Sequence, residues 1–515
     1  MTLLLIITSL AFLSLISYFF PKHKNFFIFI SVSVVISFYL FLPMNFYHTE
    51  SFFPSKNLKT YHMCFNYYNL LMDSIKNKHL YIAKYQFNVN YKTDFFYVGE
   101  HDIKINNNKK RIYFTLLDTS FYKKHIYLYF GITPVLLFYL PFNLITTLYL
   151  TDKFLLFILA CFIFLLSLFL VKKILESIIN IKNIPTNIII LSIFTIGFCN
   201  LLPFVMIRTS IYEVAITTAA FLLLISLCLL HYYTHITNGT LKYIVIFFIS
   251  LFLCLAVGAR PHYIFSIPVI FFFIVYFEYK EKAKNIKDIF KPISFFLIPC
   301  FVYGAVLALY NYIRFDSIFE FGFKYQINPY EFINFKFSIV TLLQNFIVTV
   351  KQALFKLPNI NLTTVFSMAK ASGHSLGNDL ITGICWTSPI IFVLLFLPDF
   401  LIKIYKKNIS TFVFILSITT IIIINFIFTS FFGILIRYVF EYLFLMTILS
   451  VTVLLFYSGK TEDKLLKYFI AVLFTAIFIS SVFLNISLLF CKENAGNYID
   501  SSCINYTKFI NFLFK

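Results

Sequence analysis

Apolar stretches long enough to cross a lipid bilayer recur along the whole chain. A transmembrane α-helix needs roughly 17–25 predominantly apolar residues. The chain is 60% hydrophobic and 12% charged, a composition unlike that of any soluble domain of 515 residues. The sequence therefore predicts an all-α polytopic membrane protein with about twelve transmembrane helices, at residues 2–20, 25–44, 153–171, 187–206, 213–233, 243–259, 263–279, 292–312, 386–402, 410–432, 438–457 and 468–490.

The short loops between these spans differ in their basic residues, and this difference predicts the orientation. Loops on one side are rich in lysine, whereas the opposite short loops contain Arg208, Arg260 and Arg437 and no lysine. The positive-inside rule places the lysine-rich side in the cytoplasm, so both termini lie outside. Segment 2–20 has no basic leader and no small-residue cleavage site, and we expect it to be a retained span.

This orientation predicts two large external loops and an external tail. The predicted parts are an N-terminal transmembrane hairpin at 1–44, an external loop with interfacial or re-entrant helices at 45–152, a transmembrane core at 153–312, a second external loop at 313–385, C-terminal transmembrane helices at 386–490 and an external tail at 491–515. The apolar segment 131–150 contains Pro134 and Pro141. If it crossed the membrane, every later loop would change sides, so we interpret it as re-entrant or interfacial.

Charge and cysteine usage exclude two classes of function. The net charge of +20 comes largely from cytoplasmic lysines that face anionic lipid, and no basic stripe with interleaved aromatic residues suggests nucleic acid as a partner. No Cys/His cluster has the spacing of a metal site. Cys491 and Cys503 sit together in the short predicted external tail, where a disulfide could close a small loop. We expect the cysteines within the spans to be small apolar packing residues: Cys161, Cys199, Cys228, Cys254 and Cys300.

Arginine is rare and lies on one predicted side of the membrane. Of 42 basic residues only five are arginine, at positions 111, 208, 260, 314 and 437, and all five fall on the external side. Arginine holds a planar fork that grips a phosphate or carboxylate with two hydrogen bonds, which lysine cannot do. The pattern predicts an anion-handling site on the external face.

Polar residues of the external loops accompany these arginines. A helical pattern over 67–75 in the first loop has a partly apolar face and carries Asp73, and Asp118 precedes an aromatic segment of the same loop. The motifs, taken in order, resemble bacterial integral-membrane glycosyltransferases of the GT-C fold class, in the neighbourhood of the protein-mannosyltransferase-like enzymes. The resemblance rests on Tyr67–Asp73, Asp118–Tyr122, Tyr127–Pro134, Arg208–Glu213, Gly258–Pro261, Tyr310 with Asn311, Arg314 with Phe315, and Arg437 with Tyr438.

The resemblance implies a GT-C-like architecture and a defined chemistry. Such enzymes have a large first external loop with interfacial helices and an acidic residue, and they transfer a hexosyl or pentosyl group from a polyprenyl-phosphate carrier with inversion. It implies the bacterial inner membrane, with the active site on the periplasmic face. The acceptor stays open between lipid, glycan and protein, and we expect no metal or other cofactor.

Chemical roles can be assigned to the candidate residues. The acceptor hydroxyl needs a carboxylate as general base, and Asp118 or Asp73 is the candidate. The leaving phosphate needs positive charge, for which we nominate Arg260 with Arg208 or Arg437. Supporting roles fall to Tyr122, Tyr212, Glu213, His262 and Arg314.

Two other functions use similar features. A flippase or transporter of lipid-linked sugars would carry arginines and many spans, but more often shows internal repeats and broken helices with polar groups at mid-membrane depth. The predicted spans are clean at that depth. A polysaccharide polymerase would share the external loops and arginines but needs no loop helix that carries a base.

Overall fold

The computed structural model describes residues 23–45, 52–56, 66–84, 119–207, 211–282, 287–326, 339–340, 343, 384, 388–432, 436–460 and 472–481. Within these ranges eight helices are long and apolar enough to cross a membrane. They are Lys24–Met44, Asp152–Glu176, Ile211–Tyr233, Gly239–Ala259, Pro261–Lys280, Ile289–Phe315, Ile409–Ser430 and Arg437–Lys460. These eight coincide with eight of the twelve predicted spans, and the structure is that of a multi-pass, mainly helical membrane protein.

The described α-helices are numbered in chain order. The α-helices are α1 Lys24–Asn45, α2 Tyr67–Lys76, α3 Leu140–Thr146, α4 Asp152–Glu176, α5 Thr186–Phe198, α6 Leu202–Ile207, α7 Ile211–Tyr233, α8 Gly239–Ala259, α9 Ser266–Lys282, α10 Lys287–Phe315, α11 Leu397–Tyr405, α12 Ile409–Phe432 and α13 Ile436–Lys460. Side-chain caps begin two of the long helices: Thr151 Oγ1 accepts from Phe154 N ahead of α4, and Asn238 accepts from Thr240 N and Leu241 N ahead of α8.

The count of twelve spans is not confirmed. Segment 2–20 lies outside the described residues, and of segment 468–490 only the short helix Val472–Ser481 is described. The remaining two predicted spans, 187–206 and 386–402, are each divided into two pieces.

Span 187–206 is wrong as a continuous helix because Pro203 cannot donate the hydrogen bond that would continue it. In an unbroken helix the N–H of residue 203 would bond to the carbonyl of Cys199, and proline has no N–H. The chain instead turns at Leu201, which has a φ of 63°. The Cys199 carbonyl accepts hydrogen bonds from the Ser388 hydroxyl and, at 3.5 Å, from Thr447 Oγ1.

Span 386–402 is likewise not one α-helix. Its described part begins with the 3-10 helix Pro389–Phe396 and continues as α11. Pro398 has no N–H for the carbonyl of Leu394, and the Leu397 N–H bonds to that carbonyl instead, in the tighter 3-10 pattern.

The first long loop, which the sequence predicts to be external, contains a small sheet that the all-α prediction missed. Strands β1 Tyr81–Lys84, β2 Thr119–Tyr122 and β3 His125–Leu128 form an antiparallel sheet in the order β1-β3-β2. The hairpin register pairs Tyr122 with His125. The Lys123–Lys124 turn has positive φ at both residues, 46° and 64°, as a two-residue hairpin of the primed type requires.

The segment after the sheet is a short helix that does not cross the bilayer. A five-residue π-helix, Val135–Tyr139, leads directly into the seven-residue α3. At 1.5 Å per residue the combined helix is roughly 18 Å long, well short of the ~30 Å hydrocarbon core. The interpretation of 131–150 as re-entrant or interfacial fits this length.

Candidate functional site

A buried ion cluster joins the end of α8 to the start of α13. Arg260 follows α8 in extended conformation, and Pro261 immediately begins the 3-10 helix Pro261–Phe265. Arg260 Nε donates to Glu441 Oε1 at 2.9 Å, and Nη2 donates to the same oxygen. His262 Nε2 lies 2.6 Å from Glu441 Oε2. One carboxylate therefore holds both residues that the sequence nominated in this turn.

Burial makes this cluster sensitive to the loss of any member. The Glu441 side chain is 0% exposed and that of Arg260 is 14% exposed. A carboxylate removed from water is tolerated when it is paired and hydrogen-bonded, as Glu441 is by Arg260. The hydroxyl of Tyr263 donates to the Glu441 backbone carbonyl at 3.3 Å, which adds a further tie between the turn and α13.

A second arginine approaches the same aromatic ring as Arg260. Arg437 Cζ is 5.5 Å from the ring centroid of Tyr438, and Arg260 Cζ is 5.6 Å from the same centroid. Arg437 also stacks over Tyr212, with its Cζ 3.9 Å from the ring centroid. Cation–π contacts of this kind hold a guanidinium in place while leaving its edge for hydrogen bonds. The structure thus brings Arg260 and Arg437 to a common tyrosine.

Two buried carboxylates lie in the helices next to the arginines. Glu213 is in the first turn of α7, directly after Tyr212, and Asp152 is the first residue of α4; both are fully buried. The two carboxylates interact electrostatically. Asp152 accepts a hydrogen bond from the Tyr139 hydroxyl and, at 3.2 Å, one from the Asn66 backbone N–H.

These contacts to Asp152 dock the first-loop helix α2 on the membrane helices. Asn66 precedes α2 with a φ of 61°, a left-handed conformation that asparagine tolerates. Asn69 Nδ2 donates to the Leu150 carbonyl at 2.8 Å. Further along α2, Tyr149 donates its hydroxyl to Asp73 Oδ2 at 3.0 Å. Asp73 is half-buried, and its orientation is fixed by that tyrosine.

Close backbone packing seats the first loop beside Arg260. Gly131 lies so close to the carbonyl of Gly258 that a Cβ at position 131 would overlap it. Gly258 in turn faces Thr133 Oγ1 and the Tyr303 hydroxyl, which are hydrogen-bonded to each other at 2.5 Å. The two glycines allow the loop to contact α8 only two residues before Arg260.

Arg314 and Tyr122 belong to a separate contact, the outer loop contact, which joins the two long loops that the sequence predicts to be external. Arg314 is buried and donates to the Leu128 carbonyl and to Asn311 Oδ1, both at 2.7 Å. Tyr122 donates its hydroxyl to Asp316 Oδ2 at 2.8 Å. The described parts of the two loops therefore pack together. Arg314 and Tyr122 connect the loops to each other and are not part of the Arg260–Glu441–His262 cluster.

Two nominated residues, Asp118 and Arg208, lie outside the described residues. Asp118 directly precedes Thr119, the first residue of β2, and Arg208 follows Ile207 at the end of α6. Among the nominated residues, the structure brings together Arg260, His262 and Arg437 with Tyr212. Asp73 is held separately, by Tyr149.

The sequence reasoning missed Glu441 and Asp152. An acidic residue inside an apolar span is a functional signal in itself, and Glu441 lies four residues after Arg437 in such a span. Asp152 is the last residue of the predicted first loop and was assigned no role from the sequence. Its contacts come from Asn66 and Tyr139 in the preceding loop, which no local pattern reveals.

The described part of the chain contains no candidate metal-binding site. Within it, no group of three or more His, Cys, Asp or Glu residues is placed to hold a metal ion. The expectation of metal-free chemistry stays a prediction.

No protein-family model matches the sequence, and no curated protein is similar to it. Among solved structures, the chain is similar to the oligosaccharyltransferase of Archaeoglobus fulgidus in its apo form, with a TM-score of 0.46, 10% identity and coverage of 89% of this chain and 55% of that chain. The same enzyme tethered with an acceptor peptide containing the NVT sequon gives a TM-score of 0.49, 10% identity and coverage of 93% and 56%.

A third similar structure is the archaeal oligosaccharyltransferase AglB from the same organism, in complex with an inhibitory peptide and a dolichol-phosphate. Its TM-score is 0.44 and its identity 12%, with 91% of this chain and 56% of that chain covered. That enzyme has the GT-C fold, the class that the sequence motifs resemble. The chain spans little more than half the length of these structures, and all three TM-scores are below 0.5.

Proposed function

We propose that the chain is an integral-membrane glycosyltransferase that moves a sugar from a polyprenyl-phosphate carrier to a lipid, glycan or protein acceptor. The proposed location is the bacterial inner membrane, with the active site on the periplasmic face. The observation that carries the proposal is that two arginines, Arg260 and Arg437, both approach the Tyr438 ring at one end of the spanning helices. That end is the predicted external side, where short loops carry arginine and no lysine.

Arg260 has the capacity to take up a phosphate while its ion pair stays intact. A guanidinium has five N–H donors, and the contact with Glu441 uses Nε and Nη2. The side chain is 14% exposed at this end of the bundle. A phosphate that leaves the sugar gains negative charge, and a pre-positioned guanidinium stabilises that charge without reorganisation. Arg437, held on Tyr212, would take the second side of the same phosphate, and Arg208 is the alternative partner.

The base is proposed to be Asp118 or Asp73. Asp73 is half-buried, and the hydroxyl of Tyr149 fixes one oxygen of its carboxylate at 3.0 Å. Such fixing helps a general base, because proton transfer needs the carboxylate within hydrogen-bond reach of the acceptor hydroxyl. Asp118 is favoured slightly by its position before β2 in the loop that seats beside Arg260. Inverting displacement at the anomeric carbon needs one carboxylate only.

A flippase for lipid-linked sugars is the second candidate, and one observation favours it. The break between α5 and α6 at Leu201 is a discontinuous helix, a common feature of transporter binding sites. The Cys199 carbonyl that the break frees is nevertheless hydrogen-bonded within the protein, because the hydroxyls of Ser388 and Thr447 donate to it. This makes the break a packed structural joint, and the glycosyltransferase remains the better-supported function.

An assay on the bond that a transferase breaks separates the two functions. The protein is reconstituted into liposomes with a polyprenyl-phosphate sugar whose sugar carries the radiolabel, and extracts of inner-membrane lipid and periplasmic glycan serve as acceptors. A transferase releases free polyprenyl phosphate and moves the label to a new product. A flippase changes the leaflet of the label but leaves the sugar–phosphate bond intact, and that result would overturn the proposal.

A further inference from the structure

Two of the cysteines that the sequence predicts to be simple packing residues contact each other within the membrane. Cys254 of α8 and Cys300 of α10 have their Sγ atoms 3.6 Å apart. Both are free thiols, as are the other three described cysteines, Cys161, Cys199 and Cys228. The contact joins helices that are neighbours in space but 46 residues apart in sequence.

Hydrogen bonds orient the two thiols toward each other. The Cys254 thiol donates to Cys300 Sγ, and Cys300 Sγ lies 3.2 Å from Ser250 Oγ. Ser250 in turn donates to the Phe296 carbonyl at 2.5 Å. With its own proton committed to that carbonyl, the Ser250 hydroxyl accepts from Cys300. The result is a directed chain from Cys254 through Cys300 and Ser250 to the backbone of α10.

The two thiols differ in accessibility in a way that suits stepwise oxidation. Cys254 is 4% exposed, whereas Cys300 is half-buried. The next residues of α10, Phe301 and Val302, are 72% and 61% exposed, as expected of a helix surface that faces lipid. A lipid-soluble oxidant therefore reaches Cys300 first, with Cys254 directly behind it.

We propose that Cys254 and Cys300 are an oxidation-sensitive pair that forms a disulfide between α8 and α10 when lipid hydroperoxides are present. The Cys300 thiol is oxidised by the hydroperoxide to a sulfenic acid, and the hydroperoxide is reduced to an alcohol. The Cys254 thiol then attacks the sulfenic sulfur, the S–S bond forms and water leaves. The bond length of about 2.05 Å requires the sulfurs to approach by roughly 1.5 Å, within reach of small side-chain and helix movements.

The cross-link would join α8 and α10 close to the turn that carries Arg260. Cys254 is on the same helix as Gly258 and six residues before Arg260, and Cys300 is one turn before Tyr303. Tyr303 and Gly258 already contact each other through the loop residue Thr133. A disulfide would therefore fix the two helices that support the Arg260 turn, and the cell's thiol reductants would have to reach a half-buried membrane position to reverse it.

The test uses the full-length protein in liposomes and needs no activity assay. The sample is treated with cumene hydroperoxide, remaining thiols are alkylated, and a non-reducing peptide digest is read by mass spectrometry. We expect a Cys254–Cys300 disulfide at about tenfold or greater excess over any other pair, since thiol oxidation is site-selective. In Cys254→Ser, Cys300 should instead be recovered as sulfenic acid, trapped with dimedone, which shows that the reaction begins at Cys300.

Cys161→Ser is the matched control, because Cys161 is also half-buried in a spanning helix but has no cysteine in contact. It should leave the disulfide yield unchanged. Recovery of Cys254 and Cys300 as free thiols under conditions that oxidise Cys161 would overturn the proposal. A cross-link of either residue to a different cysteine would overturn it as well.

Discussion

Arg260 and Glu441 form an ion pair in which one carboxylate oxygen, Oε1, accepts from both Nε and Nη2 of the guanidinium. The second oxygen lies beside His262. This arrangement ties the turn after α8 to the second turn of α13 and fixes the direction in which the guanidinium points. The proposed phosphate site requires positioning of this kind, which a flexible arginine at a membrane surface would lack.

Glu441→Ala is expected to destabilise the protein strongly. Removing one member of a buried ion pair leaves an uncompensated buried charge and costs about 3–5 kcal/mol. Thermal unfolding in detergent, followed by the loss of monodisperse protein, measures the effect. Glu176→Ala is the control, because Glu176 pairs with Lys173 on the surface at 39% exposure and should cost less than about 1 kcal/mol. Equal effects of the two substitutions would contradict a structural role for the buried pair.

Arg260→Lys is expected to fold but to lose transfer activity. Lysine keeps the charge and loses the fork that divides its donors between Glu441 and a phosphate. Loss of one positioned donor to a developing anion lowers turnover by roughly 10²–10³-fold. Transfer is measured at saturating lipid-phosphate sugar, with the exposed Lys324→Arg at the same end as the control. Near-normal turnover in Arg260→Lys would indicate an interfacial arginine without a role in catalysis.

Gly131→Ala tests the contact between the first external loop and α8. The added Cβ would overlap the Gly258 carbonyl, a backbone atom that cannot move aside as a flexible side chain can. Overpacking of this kind costs about 1–3 kcal/mol. Gly304→Ala is the matched control, because nothing lies within 4 Å of a Cβ there, and alanine is the better helix former. Thermal unfolding should show opposite shifts, and similar values would refute the close contact.

The outer loop contact is expected to depend on pH. The ion pair with Lys123 and the hydrogen bond from Tyr122 lower the pKa of Asp316, and the hydrogen bond to Asp316 raises the pKa of Tyr122. A carboxyl with a lowered pKa contributes stability above its unfolded value of about 3.9, and this is lost as the pH falls through the folded pKa. A phenol with a raised pKa contributes stability below about 10, and this is lost as the pH rises through the folded pKa.

Hydrogen–deuterium exchange of residues 119–128, corrected for the intrinsic pH dependence of exchange, should therefore be slowest between about pH 4 and about pH 10. Asp316→Asn should exchange faster within that range and show a flatter pH profile. Identical profiles for the wild type and Asp316→Asn would show that this contact does not hold the hairpin.

The sequence predicted those parts of the fold that depend on length and composition. Eight spans follow from runs of apolar residues that a bilayer requires, and the helix over 67–75 followed from its periodicity. Pro203 marked a possible break in span 187–206, but the partners that satisfy the freed Cys199 carbonyl, Ser388 and Thr447, are 189 and 248 residues away and could not be predicted. The four-residue strands of the external sheet are too short to give a clear alternating pattern.

Only part of the candidate site could be predicted from the sequence, again because some of its contacts join distant residues. The scarcity of arginine marked Arg260 and Arg437, and in the structure their Cζ atoms lie 5.6 and 5.5 Å from the ring centroid of Tyr438. Glu441 determines how Arg260 is held, but its partner is 181 residues away in the sequence. Long-range pairs of this kind leave no spacing that a single sequence can show.

Turnover by Asp118→Asn and Asp73→Asn tests the central claim most directly. The two variants and the wild type are reconstituted at equal protein, and the release of free polyprenyl phosphate from the labelled donor is followed in the presence of acceptor. At least one variant should lose about 10²–10⁴-fold in rate, as expected when a general base is removed, while its unfolding temperature stays close to that of the wild type. Near-wild-type turnover in both single variants would contradict the proposed mechanism.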